Sequence, residues 1–137
     1  MSLTRTNRMV LQAAPIAGFQ NEYRFLSNFY QAPVSLDGAL YPTVEHAFQA
    51  AKSLDPQHRR IVLSTLLPGN AKQAGRRATL RPDWEEVKLP IMLDLLRQKF
   101  APSSPLAERL LSTGDANLIE ANRWHDNIWG SCTCGCA

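Results

Sequence analysis

Glu45 and Lys52 are the two ionisable residues whose types and spacing best suit chemistry on a bound molecule, and both lie in the stretch YPTVEHAFQAAK, residues 41–52. On a helix, Glu45, Gln49 and Lys52 fall along a narrow polar line beside an apolar face. Glu45 and Lys52 would be roughly 10 Å apart along the axis, too far for a direct ion pair but suitable for converging on one ligand. The alternative is an ordinary solvated polar face, which the spacing alone favours.

The position of Glu45 in the first helical turn bears on its chemistry. The helix dipole favours an ionised carboxylate there. Glu45 therefore suits the stabilisation of positive charge or the role of a base. To act as an acid it would need burial that raises its pKa.

The elements that would position these residues begin with a hairpin and a helix. Residues 33–36 and 39–41 predict two paired strands joined by an Asp37–Gly38 turn, because this dipeptide accepts positive φ. Thr43 then caps a helix that ends near Ser53. Upstream, residues 23–25 are expected to open a strand.

Further helices are predicted at about residues 55–66, 70–77, 83–100 and 104–114. Asp55 and Asn70 are the expected caps of the first two. Pro90 should kink or divide the third, and Gly114 should end the fourth. The remaining tail is predicted to be irregular or a short strand and turn.

The composition is typical of one globular domain. Of the 137 residues, 45% are hydrophobic and 20% are charged, which argues against global disorder. The net charge of +3 and the pI of about 9.0 permit a phosphate-bearing partner without requiring one. No stretch is long and apolar enough to span a bilayer, so a cytoplasmic protein without a membrane partner is expected.

The cysteines are confined to the end of the chain, at Cys132, Cys134 and Cys136. They have no distant partners for a disulfide framework, which fits a reducing compartment. With His125 they could supply four ligands to a metal, but the Cys-x-Cys-x-Cys spacing is not that of a zinc site. The interpretation is three ordinary thiols, and no metal or other cofactor is expected.

Two motifs are specific in combination: LSNFY at residues 26–30 and EHAFQAAK at residues 45–52. Further matches, in order, are Ala71–Lys72, Gly75–Arg76, Trp84, Lys88, Met92, Lys99–Phe100, Thr113–Gly114, residues 118–120, Asp126 and Trp129–Gly130. Over about residues 19–130 the chain resembles the NADAR family of YbiA-like N-glycosidases.

The resemblance gives an expected domain organisation. Residues 1–18 are predicted to be a flexible leader, and residues 19–137 one α+β domain that is predominantly helical with a small N-terminal β element. Family members continue past the Trp–Gly pair into a final helix, whereas this chain ends with SCTCGCA. The domain is therefore expected to lack that last helix.

The resemblance implies cleavage of a C1′–N bond. Its substrates would be phosphoribosylamino-pyrimidine intermediates of riboflavin biosynthesis, or guanine in DNA that carries ADP-ribose. Such cleavage builds oxocarbenium character on the ribose, which carboxylates stabilise. Glu45 is the first candidate and Asp126 the second, although a turn-capping role for Asp126 is equally open. Lys52 offers another route, attack on C1′ to give a Schiff base, with a surface lysine or a phosphate contact as the alternative.

The resemblance also gives candidates for holding the polar parts of the substrate. Arg24, Lys72 and Arg76 could contact phosphate, although solvated basic residues are the alternative. Asn28 could donate to a ribose hydroxyl or to a base edge. His46 could orient the catalytic glutamate or contact the ligand, although a lone helical histidine is more often structural.

Aromatic residues are the candidates for stacking on the base. They are Phe29, Tyr30, Trp84 and Trp129. In a chain of this length some of them must belong to the core, and Trp84 and Trp129 are the preferred pocket walls.

Three classes of function remain open. The first is an N-glycosyl hydrolase of the EC 3.2.2 type, acting on a small phosphoribosyl or ADP-ribosyl substrate or on ADP-ribosylated DNA. The second is a non-catalytic module that binds NAD or ADP-ribose. The third, a basic nucleic-acid-binding protein, is weakest because acidic residues interrupt the basic ones. The residue types do not separate binding from cleavage, and they do not define the leaving base or the oligomeric state.

Overall fold

The computed structural model describes residues 13–124 and 126–135, and these form two compact units. Residues 19–112 make up the larger unit, and residues 13–18 together with 113–135 make up the smaller one. Most regular structure is helical and the strands are short, so the predicted α+β class is confirmed. Residues 1–12 of the predicted leader lie outside the described residues.

The elements follow one another in a simple order. They are β1 Ile16–Ala17, a 3-10 helix Asn21–Leu26, β2 Val34–Leu36, β3 Ala39–Tyr41, α1 Val44–Ala51, α2 Pro56–Ser64, α3 Pro68–Arg76, α4 Trp84–Lys99, α5 Ala107–Leu111, β4 Leu118–Ile119, β5 Ala121–Asn122 and β6 Ser131–Cys132.

The predicted hairpin is confirmed. Strands β2 and β3 are antiparallel, with Val34 opposite Tyr41. Asp37 and Gly38 have φ values of 48° and 82°, the left-handed geometry that a tight turn needs. Val34 and Tyr41 are both buried, so one face of the hairpin closes on the core.

The first two helices begin at the predicted caps. Thr43 Oγ1 accepts a hydrogen bond of 3.0 Å from the amide of His46, and Asp55 Oδ1 accepts one of 2.9 Å from the amide of Gln57. Each oxygen satisfies a first-turn amide that has no partner within its helix. The cap residues therefore fix where α1 and α2 start.

Two local predictions are wrong, and a third is wrong in part. Residues 23–25 lie in the 3-10 helix, not in a strand, and the adjacent Phe25 and Leu26 are both buried, which an alternating strand would not allow. Asn70 lies inside α3 because that helix already begins at Pro68, whose fixed φ suits a first turn. Helix α4 continues through the exposed Pro90 and is not divided there, while the alternative of a kink stays a prediction.

Helix α1 lies at the centre of the larger unit. It packs against α2, α3, α4 and both strands of the hairpin. All its residues from Val44 to Ala51 are buried. The buried apolar residues around it are Phe25, Leu26, Val34, Leu36, Tyr41, Val62, Ala71, Trp84, Met92, Leu95 and Leu106.

The smaller unit contains two pairs of short parallel strands. Strand β1 pairs with β4, and β5 pairs with β6. Gly114, at the predicted end of the last helix, has a φ of 60°, a conformation that favours glycine. The short strands and turns agree with the structure predicted for the tail.

Candidate active site

Glu45 is a buried carboxylate. The residue is only 8% exposed, because three helices and the hairpin pack around the eight-residue helix α1. Gln49, one turn further on, is 4% exposed. The polar line of α1 is therefore not a solvated face, and that alternative is wrong. A carboxylate kept in a protein interior needs partners, and its field is stronger there than in water.

One partner of Glu45 is Gln49 itself. The Gln49 Nε2 donates a hydrogen bond of 2.7 Å to Glu45 Oε1. The backbone of Gln49 is held in turn by α2, since His58 Nε2 donates to the Gln49 carbonyl oxygen over 3.0 Å. Glu45 is thus oriented by a residue that is itself anchored to a second helix.

Lys52 follows α1 as its C-cap and is partly buried. Burial lowers its pKa below the ordinary value, the carboxylate of Glu45 raises it, and the charges of Lys72 and Arg76 lower it further. The lysine therefore interacts with Glu45 on its own helix and with two cations on α3. These four predicted residues share one electrostatic environment.

The LSNFY segment is joined to the start of α1. The Asn28 carbonyl oxygen accepts a hydrogen bond of 3.1 Å from the amide of Glu45. The Asn28 side chain contacts α4, with its Nδ2 3.8 Å from Met92 Sδ. Arg24 and Phe29 are exposed in the same region, so they are accessible to a ligand.

Lys99 on α4 is a residue that the sequence reasoning did not select. It is 2% exposed, and its Nζ donates a hydrogen bond of 2.6 Å to the carbonyl oxygen of Ser27. The rings of Tyr30 and Phe100 lie 5.9 and 5.1 Å from Nζ. Burial lowers the pKa of Lys99 to about 8. The sequence signal that could have identified Lys99 is the Lys99–Phe100 pair, which is one of the matches to the family.

His46 is fully buried and has contacts at both ring nitrogens. Its Nε2 lies 3.1 Å from the Thr65 carbonyl oxygen, which can only accept, so Nε2 carries the proton. Its Nδ1 lies 2.8 Å from Thr43 Oγ1 and accepts from that hydroxyl. Because both nitrogens bind protein groups, these contacts argue against the predicted ligand contact and favour the structural alternative.

Trp84 packs on α1 from the start of α4. Its ring lies 5.0 Å from the Phe48 ring, tilted by 53°. With 7% of its surface exposed, Trp84 is chiefly a core residue. Its role as a pocket wall stays a prediction.

Asp126 and Trp129 belong to the smaller unit. Asp126 Oδ1 accepts hydrogen bonds from the amides of Ile128 and Trp129, over 3.1 and 3.0 Å. The Asn122 side chain binds both the amide and the carbonyl oxygen of Asp126. These contacts favour a turn-capping role for Asp126, and its catalytic role stays a prediction.

The cysteine cluster is described only in part. The Sγ atoms of Cys132 and Cys134 lie 2.8 Å apart, while Cys136 and His125 lie outside the described residues. Within residues 13–124 and 126–135, no group of three or more His, Cys, Asp or Glu residues is placed to hold a metal ion.

Comparison with known proteins identifies the family. The sequence pattern of the NADAR domain matches residues 17–135. The chain belongs to the NADAR family. The match covers nearly all the described residues and includes both the LSNFY and the EHAFQAAK motifs.

Two named relatives of this NADAR protein are N-glycosidases. N-glycosidase YbiA of Escherichia coli is 38% identical over 112 residues, which cover 80% of this chain and 69% of the relative. N-glycosidase Npun_R5314 of Nostoc punctiforme is 36% identical over 113 residues, or 79% and 72% of the two chains. The chain is an enzyme of the glycosyl hydrolase class, as predicted.

A third relative and a solved structure complete the comparison. A riboflavin biosynthesis protein of Vibrio vulnificus, VVA0006, is 34% identical over 108 residues, 77% of this chain and 29% of the relative. The NMR structure of E. coli YbiA superposes with a TM-score of 0.77 at 36% identity, covering 92% of this chain and 77% of that one. The predicted family and fold are therefore both confirmed.

The membrane prediction concerns helices only. Of the helices in the described ranges, none has the length and apolar character needed to cross a bilayer. The predicted cytoplasmic location stays a prediction.

Proposed function

We propose that this protein hydrolyses the C1′–N bond of a base linked to phosphoribose or ADP-ribose. The observation that carries the proposal is the pairing of a buried carboxylate, Glu45, with a lysine of lowered pKa, Lys52, beside two cations of α3. A carboxylate can stabilise the positive charge that develops on the sugar, and the cations can bind the negatively charged phosphate of the substrate. The names of the N-glycosidase relatives support the same bond type.

Glu45 would act on the sugar. As the C1′–N bond breaks, the electron pair leaves with the nitrogen and positive charge develops at C1′ and the ring oxygen. A preorganised carboxylate in a buried site stabilises this charge without reorganising. A water molecule then supplies hydroxyl to C1′, and its proton balances the departing base.

Lys52 would act in one of two ways. A neutral amine can attack C1′, expel the base and form a Schiff base with the opened sugar, which water later hydrolyses. The lowered pKa favours this route, because it raises the neutral fraction of the amine. In the direct route, water attacks C1′ and Lys52 only contacts the substrate.

Lys72 and Arg76 would hold the phosphate. Both lie on α3, and both act on Lys52 through their charges. Arg76 is exposed, so its guanidinium is open to a bidentate contact with phosphate oxygens. Arg24, also exposed, is a further candidate just before the LSNFY segment.

The substrate class that we favour is the phosphoribosylamino-pyrimidine intermediates of riboflavin biosynthesis. Two relatives, from Vibrio vulnificus and Zea mays, carry riboflavin biosynthesis in their names. ADP-ribosylated guanine in DNA is the second candidate, because it shares the ribose 5-phosphate unit, although it carries a different base and a further adenosine phosphate. A non-catalytic module that binds NAD or ADP-ribose is the alternative outside the enzyme class.

A hydrolysis panel analysed by mass spectrometry tests the proposal. The panel contains early riboflavin intermediates, NAD, ADP-ribose and an oligonucleotide carrying ADP-ribosylated guanine. Release of ribose 5-phosphate or ADP-ribose supports the proposal and names the leaving base. Binding of NAD or ADP-ribose in a thermal-shift assay without release from any substrate would instead support the binding module.

A further inference from the structure

We propose that Gln49 is the positioning residue of the Glu45 carboxylate. Gly75 on α3, which has no side chain, leaves the space that the Gln49 amide occupies. The kinetic part of this inference rests on the proposed function. Its structural part, the orientation of Glu45, does not.

The contact between Gln49 and Glu45 has a defined direction. Only the amide nitrogen of Gln49 can donate to a carboxylate, so Nε2 faces Glu45 Oε1 over 2.7 Å. A hydrogen bond to a buried charged group is stronger than one between neutral groups. The bond therefore restrains the carboxylate of Glu45 to one orientation, with Oε1 engaged by the protein.

The other end of the Gln49 amide is unusual. Its Oε1 is buried and, among the residues that the structure describes, has no hydrogen-bond partner. An unsatisfied buried acceptor lowers the stability of the folded state. A glutamine kept in this position is therefore poorly explained by packing alone, and the bond from Nε2 to the carboxylate gives a functional reason for it.

Gly75 provides the space for this amide. A Cβ added at Gly75 would overlap Gln49 Oε1 and lie 2.7 Å from its Cδ and 3.2 Å from its Cβ. The φ of Gly75 does not require glycine, since Gly75 is not among the positive-φ residues of the described chain. Close approach to Gln49, not backbone conformation, is thus the constraint at this position.

Three helices consequently converge on Gln49. Helix α1 supplies the residue, His58 of α2 holds its carbonyl oxygen, and Gly75 of α3 accommodates its amide. Lys52 at the end of α1 is influenced by the charge of Glu45 and by the charges of Lys72 and Arg76 on α3. The α1–α3 contact therefore places Gly75 beside the residue that orients the carboxylate, on the same helix as the two phosphate-binding candidates.

The test measures the pKa of the Glu45 carboxyl by carbon-13 NMR titration, with the signal assigned by its loss in Glu45→Gln. Gln49→Met removes the donor at nearly constant volume, and Gly75→Ala displaces the amide by sterics. Because both changes remove a hydrogen bond to the charged form, each should raise the pKa of Glu45 by about one unit. The double variant should shift no further than the larger single change.

Two matched controls accompany these variants. Gln73→Met makes the same chemical change at an exposed glutamine of α3. Gly69→Ala adds the same methyl group to α3 where nothing lies within 4 Å. Both should leave the Glu45 pKa unchanged.

Kinetics on any hydrolysed substrate supplies the second readout. Gln49→Met and Gly75→Ala should lower kcat by about tenfold, move the acidic limb of the pH profile upward and change KM little. A Glu45 pKa unmoved in Gln49→Met would overturn the inference, and one unmoved in Gly75→Ala alone would remove Gly75 from it. If wild type cleaves no substrate, the proposed function fails, while the titration still decides the role of Gln49.

Discussion

The amide of Glu45 donates a hydrogen bond of 3.1 Å to the carbonyl oxygen of Asn28. This bond joins the two most specific motifs of the chain, LSNFY and EHAFQAAK, at the first turn of α1. Ser27, the neighbour of Asn28, accepts from Lys99 of α4 through its own carbonyl oxygen. The LSNFY backbone that contacts Glu45 is therefore held by two helices, α1 and α4, that are distant from each other in sequence.

Trapping with cyanoborohydride distinguishes the two routes open to Lys52. Because its pKa is lowered, the amine has a larger neutral fraction than an ordinary lysine near neutral pH. We expect wild type to gain the mass of one reduced sugar phosphate and Lys52→Arg to gain none. Lys72→Arg is the control and should still be labelled. Turnover by wild type without any adduct would favour direct hydrolysis.

Substitution of Arg76 tests the phosphate site. Arg76→Met should raise KM for a phosphoribosyl substrate by about tenfold, as expected for the loss of a charge-assisted contact. The dephosphorylated substrate should be cleaved equally by both proteins. Arg77→Met changes an exposed arginine next to it and should have little effect. If Arg76→Met raised KM equally for the phosphorylated and dephosphorylated substrates, Arg76 would not be the residue that binds the phosphate.

Lys99 should make stability depend on pH. Its pKa is about 8 in the folded protein and 10.5 ordinarily, so between these values the unfolded chain binds more protons. Stability therefore rises with pH across this window. Relative to Lys99→Met, the free energy of unfolding of wild type should increase by about 2–3 kcal/mol between pH 8 and 10.

Urea denaturation at several pH values measures this difference. Lys88→Met is the matched control, because Lys88 forms a surface ion pair with Glu85 on the same helix. A constant difference between wild type and Lys99→Met across the window would show that Lys99 is not desolvated.

Local rules predicted the parts of the fold that local chemistry determines. The Asp37–Gly38 turn and the caps at Thr43 and Asp55 follow from the preferences of single residues. The predicted cap at Asn70 was wrong because α3 already begins at Pro68. Where two local signals compete within one turn, the sequence does not say which one begins the helix.

For the candidate site, the sequence predicted which residues share one line of α1 but not that they are buried. The helical spacing placed Glu45, Gln49 and Lys52 on one line, yet favoured a solvated face. The residues are buried because α2, α3 and α4 pack around α1. The spacing of residues within one helix cannot predict this packing. The role of Lys99 depends on a contact with Ser27, 72 residues away, and was missed for the same reason.

The central claim is that the Glu45 carboxylate drives bond cleavage. Its most direct test is a single-turnover measurement of C1′–N cleavage by wild type, Glu45→Gln and the control Glu86→Gln, which alters an exposed glutamate in the first turn of α4. Glu45→Gln should fold normally, since its amide oxygen can still accept from Gln49, and should cleave at least about 10²- to 10³-fold more slowly. Glu86→Gln should match wild type. Cleavage by Glu45→Gln at the wild-type rate would contradict the account.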